Sequence, residues 1–405
     1  MQVRTLLEVS APYCYALGMN TLSETDIQHR QTDIFSPSLC HIDLGAIQRN
    51  FARLGQATAM MPVIKADAYG HGLLPVAQAL AHCGAVRFAV GTVDEGLALR
   101  AAGLRQQIVL LLGARDAQEW QAAAAHNLTP LAGSFADLHL ARAAAQVSIA
   151  IKCETGMGRL GFNAKEMPHL LDVLRQSPQI SPTLVLSHLS SADMPDEEAY
   201  TQAQIRQFAY MANALRSVFP ELPRSLANSA ATLRLPETHY EICRPGIALY
   251  GGNPLAGTLW EEKGHSLEWA MSVSAPVLAL RHLSVGESVS YGRAFKATRP
   301  TRLAVVGSGY ATGFARALSN HAEVLVNGFR APQVGRVCMG MLMVDVTDAG
   351  AVQPGDNVWL MGGAAAPGQQ AVSAQELASR LTTIPYEILC LMGATNRRVY
   401  SSTAH

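Results

Sequence analysis

The sequence predicts an α/β protein, a (β/α)8 TIM-type barrel followed by a mostly β carboxy-terminal domain. Three observations predict it. From about residue 60, eight short apolar runs alternate with Ala- and Leu-rich segments of helical spacing. Polar residues close five of those runs. Beyond about residue 265 the helical spacing stops, while β-type runs continue.

Residues 1–36 precede this pattern. Ala11 to Met19 is apolar but short, Glu8 lies just ahead of it and no basic cluster precedes it, which argues against a cleaved secretory signal. The segment reads as a poorly ordered extension. The barrel runs are Met61–Lys65, Phe88–Thr92, Gln107–Leu112, Leu128–Ala132, Val147–Lys152, Thr183–His188, Arg224–Asn228 and Tyr240–Ile247. Helical spacing fills the intervals at Leu73–His82, Val93–Ala102, Asp116–His126, Phe135–Ala145, Ala164–Gln176 and Asp196–Phe219. Eight such units over roughly 200 residues are enough to close a barrel, and a doubly wound open sheet is the alternative with the same alternation.

Lys65 closes the first run, Lys152 the fifth, His188 the sixth, Asn228 with Ser229 the seventh, and Arg244 the eighth. In a closed barrel those carboxyl ends share one face, where chemistry is done. Any one of them reads equally well as a capped or solvated strand end. Five on one face do not.

The later runs are Leu267–Leu283, Ser288–Tyr291, Leu303–Val306, Glu323–Phe329, Val334–Val337, Leu342–Val346 and Val358–Met361. Asn327-Gly328 is a hairpin turn. Ser373 with Glu376 forms a capping-box pattern that opens a short helix. The expected division is an extension over 1–36, a barrel over 37–265 and a β domain over 266–399.

Composition narrows the function. Apolar residues make up 49% and charged residues 15% of the 405, so the chain must bury a large core. Thirty-one basic residues balance thirty-one acidic ones with no basic block, which excludes nucleic acid as the expected partner. The near-zero net charge leaves self-association open. No apolar run reaches the ~18 residues of a membrane span. The seven cysteines include no CxxC pair and read as buried free thiols in a reducing, cytoplasmic setting, not as staples or zinc ligands.

Lys65 stands in Val63-Ile64-Lys65-Ala66-Asp67-Ala68-Tyr69-Gly70-His71-Gly72. A lysine at the mouth of an apolar barrel is desolvated, which lowers its pKa and frees the amine to form a Schiff base. A lone lysine would as readily snorkel to solvent. Tyr69, His71 and the two glycines favour the first reading. A pyridoxal phosphate site also needs a phosphate cradle. Asn228-Ser229 and Arg244-Pro245-Gly246-Ile247 follow strands seven and eight, where barrel phosphate sites are built, although Pro245-Gly246 alone is also simply a turn.

With these residues in place, the chain resembles the alanine racemases. The Lys65 segment looks like their cofactor-lysine motif, and Thr155-Gly156-Met157-Gly158-Arg159-Leu160-Gly161 resembles the segment that bears their substrate arginine. Arg244-Pro245-Gly246-Ile247, Tyr250-Gly251, Ser290-Tyr291-Gly292-Arg293, Gly309-Tyr310-Ala311-Thr312-Gly313 and Val334-Gly335-Arg336-Val337-Cys338-Met339 continue the series in order.

The resemblance implies a racemase that interconverts L- and D-alanine on pyridoxal 5'-phosphate and supplies D-alanine for peptidoglycan. Lys65 would hold the cofactor and serve as the base on one face of Cα, with Tyr291 as the base on the other. Arg244 would face the pyridine nitrogen, and His188 would link Tyr291 to Arg244. Tyr69, Ser229, Gly246, Ile247 and Tyr386 would contact the phosphate, with Asn228 beside them. Arg159 would clamp the substrate carboxylate, oriented by a carbamylated Lys152 or beside an unmodified one. Tyr310 and Met339 would line the substrate side. In the family the β domain of one subunit covers the barrel mouth of the other, so Tyr291, Tyr310 and Met339 would arrive from the partner in a homodimer.

The sequence departs from the family at Gly340 and Thr312, where an acidic residue is usual. Alanine preference is expected to survive but to be less strict. A serine or broad-specificity racemase shares every one of these residues. Another reading is a pyridoxal phosphate-binding barrel without turnover, but such proteins lack the β domain. A barrel-type decarboxylase would carry a different glycine-rich phosphate motif.

Overall fold

The computed structural model describes residues 37–55, 59–144 and 146–401, so the expectation for residues 1–36 and for Cys14 lies outside the described residues. The first strand, β1 (Leu39–Asp43), falls within the span expected for the barrel but pairs with strands of the β domain. Its burial alternates, with Cys40 and Ile42 fully buried, which is the period-2 signature of a strand with one covered face. Five residues are too short a stretch for that alternation to stand out in the sequence.

The barrel strands are β2 (Ala59–Met60), β3 (Arg87–Val90), β4 (Gln107–Leu110), β5 (Leu128–Ala132), β6 (Val147–Lys152), β7 (Ile180–Leu186), β8 (Arg224–Ser225) and β9 (Ile242–Cys243). They are near-continuous apolar runs because both faces are covered, and every residue of β5 is buried. Strands β3 to β8 form one parallel sheet in sequence order, and β2 pairs in parallel with β9.

Backbone bonds past the short strands close the ring. Ile64 N–H donates to Ala89 O at 2.8 Å and Ala89 N–H to Pro62 O at 2.9 Å on one side of the first strand. Val63 N–H donates to Pro245 O at 2.9 Å on its other side, and Arg244 N–H to Ala227 O at 2.9 Å joins the last two strands. An open doubly wound sheet has no such closure.

The helices are α1 (Leu44–Leu54), α2 (Leu73–His82), α3 (Val93–Ala101), α4 (Ala117–Ala125), α5 (Phe135–Ala143), α6 (Met167–Arg175), α7 (Glu198–Arg216), α8 (Ser229–Arg234), α9 (Ala374–Arg380) and α10 (Pro385–Thr395). Side-chain caps start many of them. Thr92 and Glu95 form a full capping box on α3, and Asp116, Ser134 and Asn228 cap α4, α5 and α8. At α9, Ser373 caps Glu376 N, but the Glu376 carboxylate is held by Arg330 at 2.5 and 2.9 Å, so the expected box is only half made. The bidentate guanidinium is the stronger competitor for that carboxylate.

The β part contains β10 (Met271–Leu283), β11 (Ser288–Val289), β12 (Phe295–Lys296), β13 (Thr301–Val306), β14 (Glu323–Val326), β15 (Phe329–Val334), β16 (Leu342–Asp345), β17 (Asn357–Met361) and β18 (Arg397–Ser401). The sheet order is β13-β16-β15-β14-β17-β10-β1-β18, and β10 also pairs with β13. The long β10 shifts register between Val277 and Ala279, which lets one strand serve two neighbours and closes six strands on themselves. The β14–β15 turn has φ of 52° at Asn327 and 83° at Gly328, as a type I′ hairpin demands.

Among the described cysteines, Cys40, Cys153 and Cys243 are buried, whereas Cys83 is exposed and Cys338 and Cys390 are half-buried. The expectation of uniform burial fails at those three. No helix of the described residues is long and apolar enough to cross a membrane.

Candidate active site

Strand β2 ends at Met60, backbone pairing continues as far as Ile64 where the sequence placed the first run, and after Lys65 the backbone turns left-handed. Ala66, Asp67, Ala68 and Tyr69 have φ of 54°, 53°, 54° and 53°. L-residues avoid this region at a cost of about 1–2 kcal/mol each, so four in succession must be held by their surroundings. Ala68 N–H donates to Ile64 O at 2.9 Å and Gly70 N–H to Ala66 O at 3.0 Å. From the neighbouring βα unit, Glu95 Oε1 accepts from Asp67 N–H at 3.0 Å, while Glu95 Oε2 accepts from Gly91 N–H at 2.7 Å.

The fully buried His71 sits 3.0 Å from both the Ala68 and Tyr69 carbonyl oxygens through Nδ1. Carbonyls only accept, so Nδ1 carries the proton. Burial lowers the His71 pKa to about 4, which keeps the ring neutral. Lys65 is itself half-buried, and desolvation with the nearby charge of Arg159 pulls its pKa below the ordinary lysine value.

Beside Tyr69 of this turn lies a candidate oxyanion cradle. Ser229 Oγ accepts from Gly246 N–H at 2.8 Å and from Ala248 N–H at 3.3 Å, so two amides from the loop after β9 converge on one oxygen. That is the donor arrangement that suits a phosphate. Gly246 is the close-approach point, because a Cβ there would overlap the Tyr69 hydroxyl. Ile247 is buried beside it.

The Tyr69 ring packs 5.8 Å from that of Tyr386 and 4.9 Å from that of Tyr250, whose hydroxyl donates to Val63 O at 3.1 Å. Burial raises the Tyr69 pKa, so its phenol remains a donor. Asn228 is occupied structurally, accepting from Ala231 N–H at 3.0 Å and donating to Leu189 O at 3.2 Å. Gly246→Ala is expected to weaken binding of an aldehyde-phosphate cofactor about tenfold, a loss of roughly 1.4 kcal/mol. Equilibrium dialysis checks it.

Four cations converge on His188, whose pKa is lowered to about 3 by burial and by Arg244, Arg159, Lys152 and Lys65. His188 is therefore a neutral acceptor at physiological pH. Arg244 Nη1 donates to Ser225 Oγ at 2.5 Å, and Nη2 donates to the Ser187 carbonyl. Burial lowers the Arg244 pKa to about 10, which leaves it a cation near neutrality. Lys152 is buried with no carboxylate partner among the described residues, and its Nζ donates to Cys153 O at 2.6 Å. Desolvation and Arg244 lower its pKa to about 8. Arg159 lies on a loop shaped by Glu154, which accepts from Gly156 N–H at 2.5 Å and Arg159 N–H at 3.2 Å. Such a group of cations suits ligands that bring a phosphate and a carboxylate.

Tyr291, Tyr310 and Met339 form a separate group on the β part. They are 72%, 42% and 62% exposed. Tyr310 N–H donates to Cys338 O and Ala311 N–H to Met339 O, both at 3.0 Å. The Tyr291 turn is tied to the same region through Ser290 Oγ and Arg336, at 2.9 Å. The Tyr291 phenol has no hydrogen-bond partner among the described residues. Gly340 faces open space, and Thr312 is engaged with Ser308 Oγ at 2.7 Å.

Two family models match the chain: the alanine racemase N-terminal domain over residues 42–254 and the alanine racemase C-terminal domain over residues 270–400. The chain belongs to the alanine racemase family.

An alanine racemase of Nitratidesulfovibrio vulgaris (strain DSM 19637 / Miyazaki F) is 47% identical over 361 residues, covering 88% of this chain and 96% of its own. Among solved structures, the biosynthetic alanine racemase of Pseudomonas aeruginosa superposes with a TM-score of 0.80 at 35% identity, covering 91% of this chain and 100% of that one. The alanine racemase of Bartonella henselae, solved with covalently bound pyridoxal phosphate, gives a TM-score of 0.79 at 31% identity, covering 90% of this chain and 99% of that one.

Some residues of the site carry no sequence signal of their own. Glu95 looks like an ordinary capping-box acid. Arg398 lies more than 300 positions from the turn it touches. Asp67 and Tyr250 stand inside recognisable motifs, but only the structure gives them a contact.

Proposed function

We propose that this chain is a pyridoxal phosphate-dependent racemase that interconverts L- and D-alanine and supplies D-alanine for peptidoglycan. The observation that carries this reading is the meeting, at one end of the barrel, of a half-buried Lys65 with the Ser229–Gly246 cradle and a ring of cations. Bound there, pyridoxal phosphate supplies an aldehyde for amines and an electron sink that acidifies the α-hydrogen of the attached amino acid.

The protein residues do the rest. Lys65 holds the cofactor and then, as a desolvated amine, takes or returns a proton at Nζ on one face of Cα. Tyr291 of a second copy does the same at its phenol oxygen on the other face, so both enantiomers are reached. The neutral His188 accepts a hydrogen bond in the chain that lowers the cost of a phenolate. Arg244 can donate to a pyridine nitrogen but does not protonate it near neutrality, which keeps the sink weak and restrains side reactions. Tyr69, Ser229, Gly246, Ile247 and Tyr386 hold the phosphate, with Asn228 fixing the helix beside them.

Arg159 pairs with the substrate carboxylate, and Tyr310 with Met339 of the second copy closes the substrate side. The functional unit is thus a homodimer, and the protein acts in the cytoplasm. Its open Gly340 loop favours, as a second reading, a racemase that also accepts serine.

Lys152 is a site for carbamylation. Its neutral Nζ attacks carbon dioxide, the N–C bond forms, a proton leaves to solvent, and an anion that can orient Arg159 replaces a buried cation. In buffer free of carbon dioxide, the unfolded chain keeps a proton on Lys152 that the folded chain has lost between pH about 8 and 10.5, so the contribution of Lys152 to stability, read as the difference between wild type and Lys152→Met, rises with pH in that window. The expected gain is on the order of 3 kcal/mol, absent in Lys152→Met, and denaturant titrations across that range measure it. An unmodified ammonium at saturating bicarbonate would reject the carbamate.

A chirality-resolved assay with D- and L-alanine, serine and lysine tests the function. Alanine is expected to turn over fastest. Equal turnover of serine would overturn that ranking, and no pyridoxal phosphate uptake would overturn the reading itself.

A further inference from the structure

We propose that Arg398, at the far carboxyl end of the chain, is a positioning residue for Lys65 and acts through Asp67. Its guanidinium meets Asp67 Oδ2 at 2.5 Å, and its Nε donates to Gly393 O at 2.9 Å near the end of α10. Asp67 Oδ1 accepts from Leu73 N–H at 2.6 Å. One carboxylate therefore ties the left-handed turn both to the helix that follows it and to the last strand of the β part. Asp67 is the second of the four left-handed residues, two positions from Lys65.

The packing around the pair leaves the turn little room. A Cβ on Gly393 would overlap the Gly70 carbonyl oxygen, and one on Gly72 would overlap the Tyr400 hydroxyl and lie 3.1 Å from Arg398 Nη1. Arg398 is largely buried, its charge is favoured by Asp67, and the Tyr400 oxygen accepts from it. The other charged group that faces the turn, Glu95 on α3, holds Asp67 through the backbone instead. Without Arg398, the turn keeps its barrel-side support but loses its β-side clamp. The four residues then relax toward ordinary backbone angles, and the Lys65 amine loses its alignment, while Arg159 on its separate loop is untouched.

This inference rests on the role of Lys65 proposed above. The experiment compares wild type with Arg398→Met, Arg398→Lys and Asp67→Asn in the full chain, loaded with pyridoxal phosphate. In the Met and Asn variants, kcat for alanine is expected to fall about 10- to 100-fold while KM stays within about twofold. The pH midpoint of the cofactor absorbance shifts, and Arg398→Lys recovers most of both effects.

Amide exchange at Gly70, His71 and Gly72 in the same chains without cofactor reports on the turn independently, and is expected to be faster in the Met and Asn variants. Asp67→Asn keeps the shape of the side chain, so it carries the test if Arg398→Met does not fold. Unchanged kcat and an unmoved absorbance midpoint in a folded variant, whatever its melting temperature, would overturn the proposal. If wild type itself held no cofactor at Lys65, the function proposed above would fall, and the exchange result would still report on the clamp.

Discussion

Lys65→Ala is expected to abolish racemisation, with a loss of about 10^4-fold or more, because on the proposed mechanism one substitution removes both the covalent anchor of the cofactor and one of two proton-transfer groups. Lys65 is the amine that the structure desolvates just past the first barrel strand, beside Arg159 and on the same turn as Tyr69, whose hydroxyl lies against Gly246. The loss should not be a folding defect. The backbone bonds of the turn, from Ala68 to Ile64 and from Gly70 to Ala66, do not use the lysine side chain. Borohydride reduction followed by peptide mapping measures the anchor: wild type should retain the cofactor on the Lys65 peptide, and the variant should retain none. Turnover in Lys65→Ala near the wild-type rate would refute the assignment.

Tyr291→Phe is the second large effect, expected to lower racemisation by about 10^2- to 10^4-fold. The equilibrium constant between enantiomers is one, so kcat/KM must fall equally in both directions, and overall rates cannot show which face is blocked. Exchange of the α-hydrogen with deuterated water can. One enantiomer should still exchange through Lys65 at a rate near that of wild type, while the other exchanges slowly. Equal exchange of both enantiomers in the variant would dispose of the two-base scheme. The exposure of Tyr291 makes this substitution mild for the fold, since the phenol has no hydrogen-bond partner to lose among the described residues.

What could be read from the sequence follows from how each feature is encoded. The barrel runs were legible because strands covered on both faces are written as uninterrupted apolar stretches, as in Leu128–Ala132. The Asn327-Gly328 hairpin was legible because two successive positive φ angles select those residues. Strand β1 was not. Its partners are Met271–Ser274 and Arg397–Ser401, and pairing over such separations leaves no local mark.

The same distinction holds in the site. Lys65, Ser229 and Arg244 were legible as polar ends of apolar strands. The left-handed turn was only hinted at by Gly70 and Gly72, because nothing about Ala66, Asp67, Ala68 or Tyr69 favours that backbone locally. Local bonds from the His71 ring and tertiary bonds from Glu95 and Arg398 impose it. Asn228 was legible as polar but not as a helix cap, since the same residue type serves both purposes.

The central claim is that an amine of one chain and a phenol of another act on the same carbon, and subunit complementation tests it most directly. Co-expressed Lys65→Ala and Tyr291→Phe chains, each inactive alone, would form mixed dimers in which one of two sites contains both intact residues. Random pairing makes half of the dimers mixed, so about one quarter of wild-type activity should return. If Lys65 and Tyr291 served the same site from a single chain, no mixed dimer would hold a complete pair, and the mixture would stay as inactive as its parts.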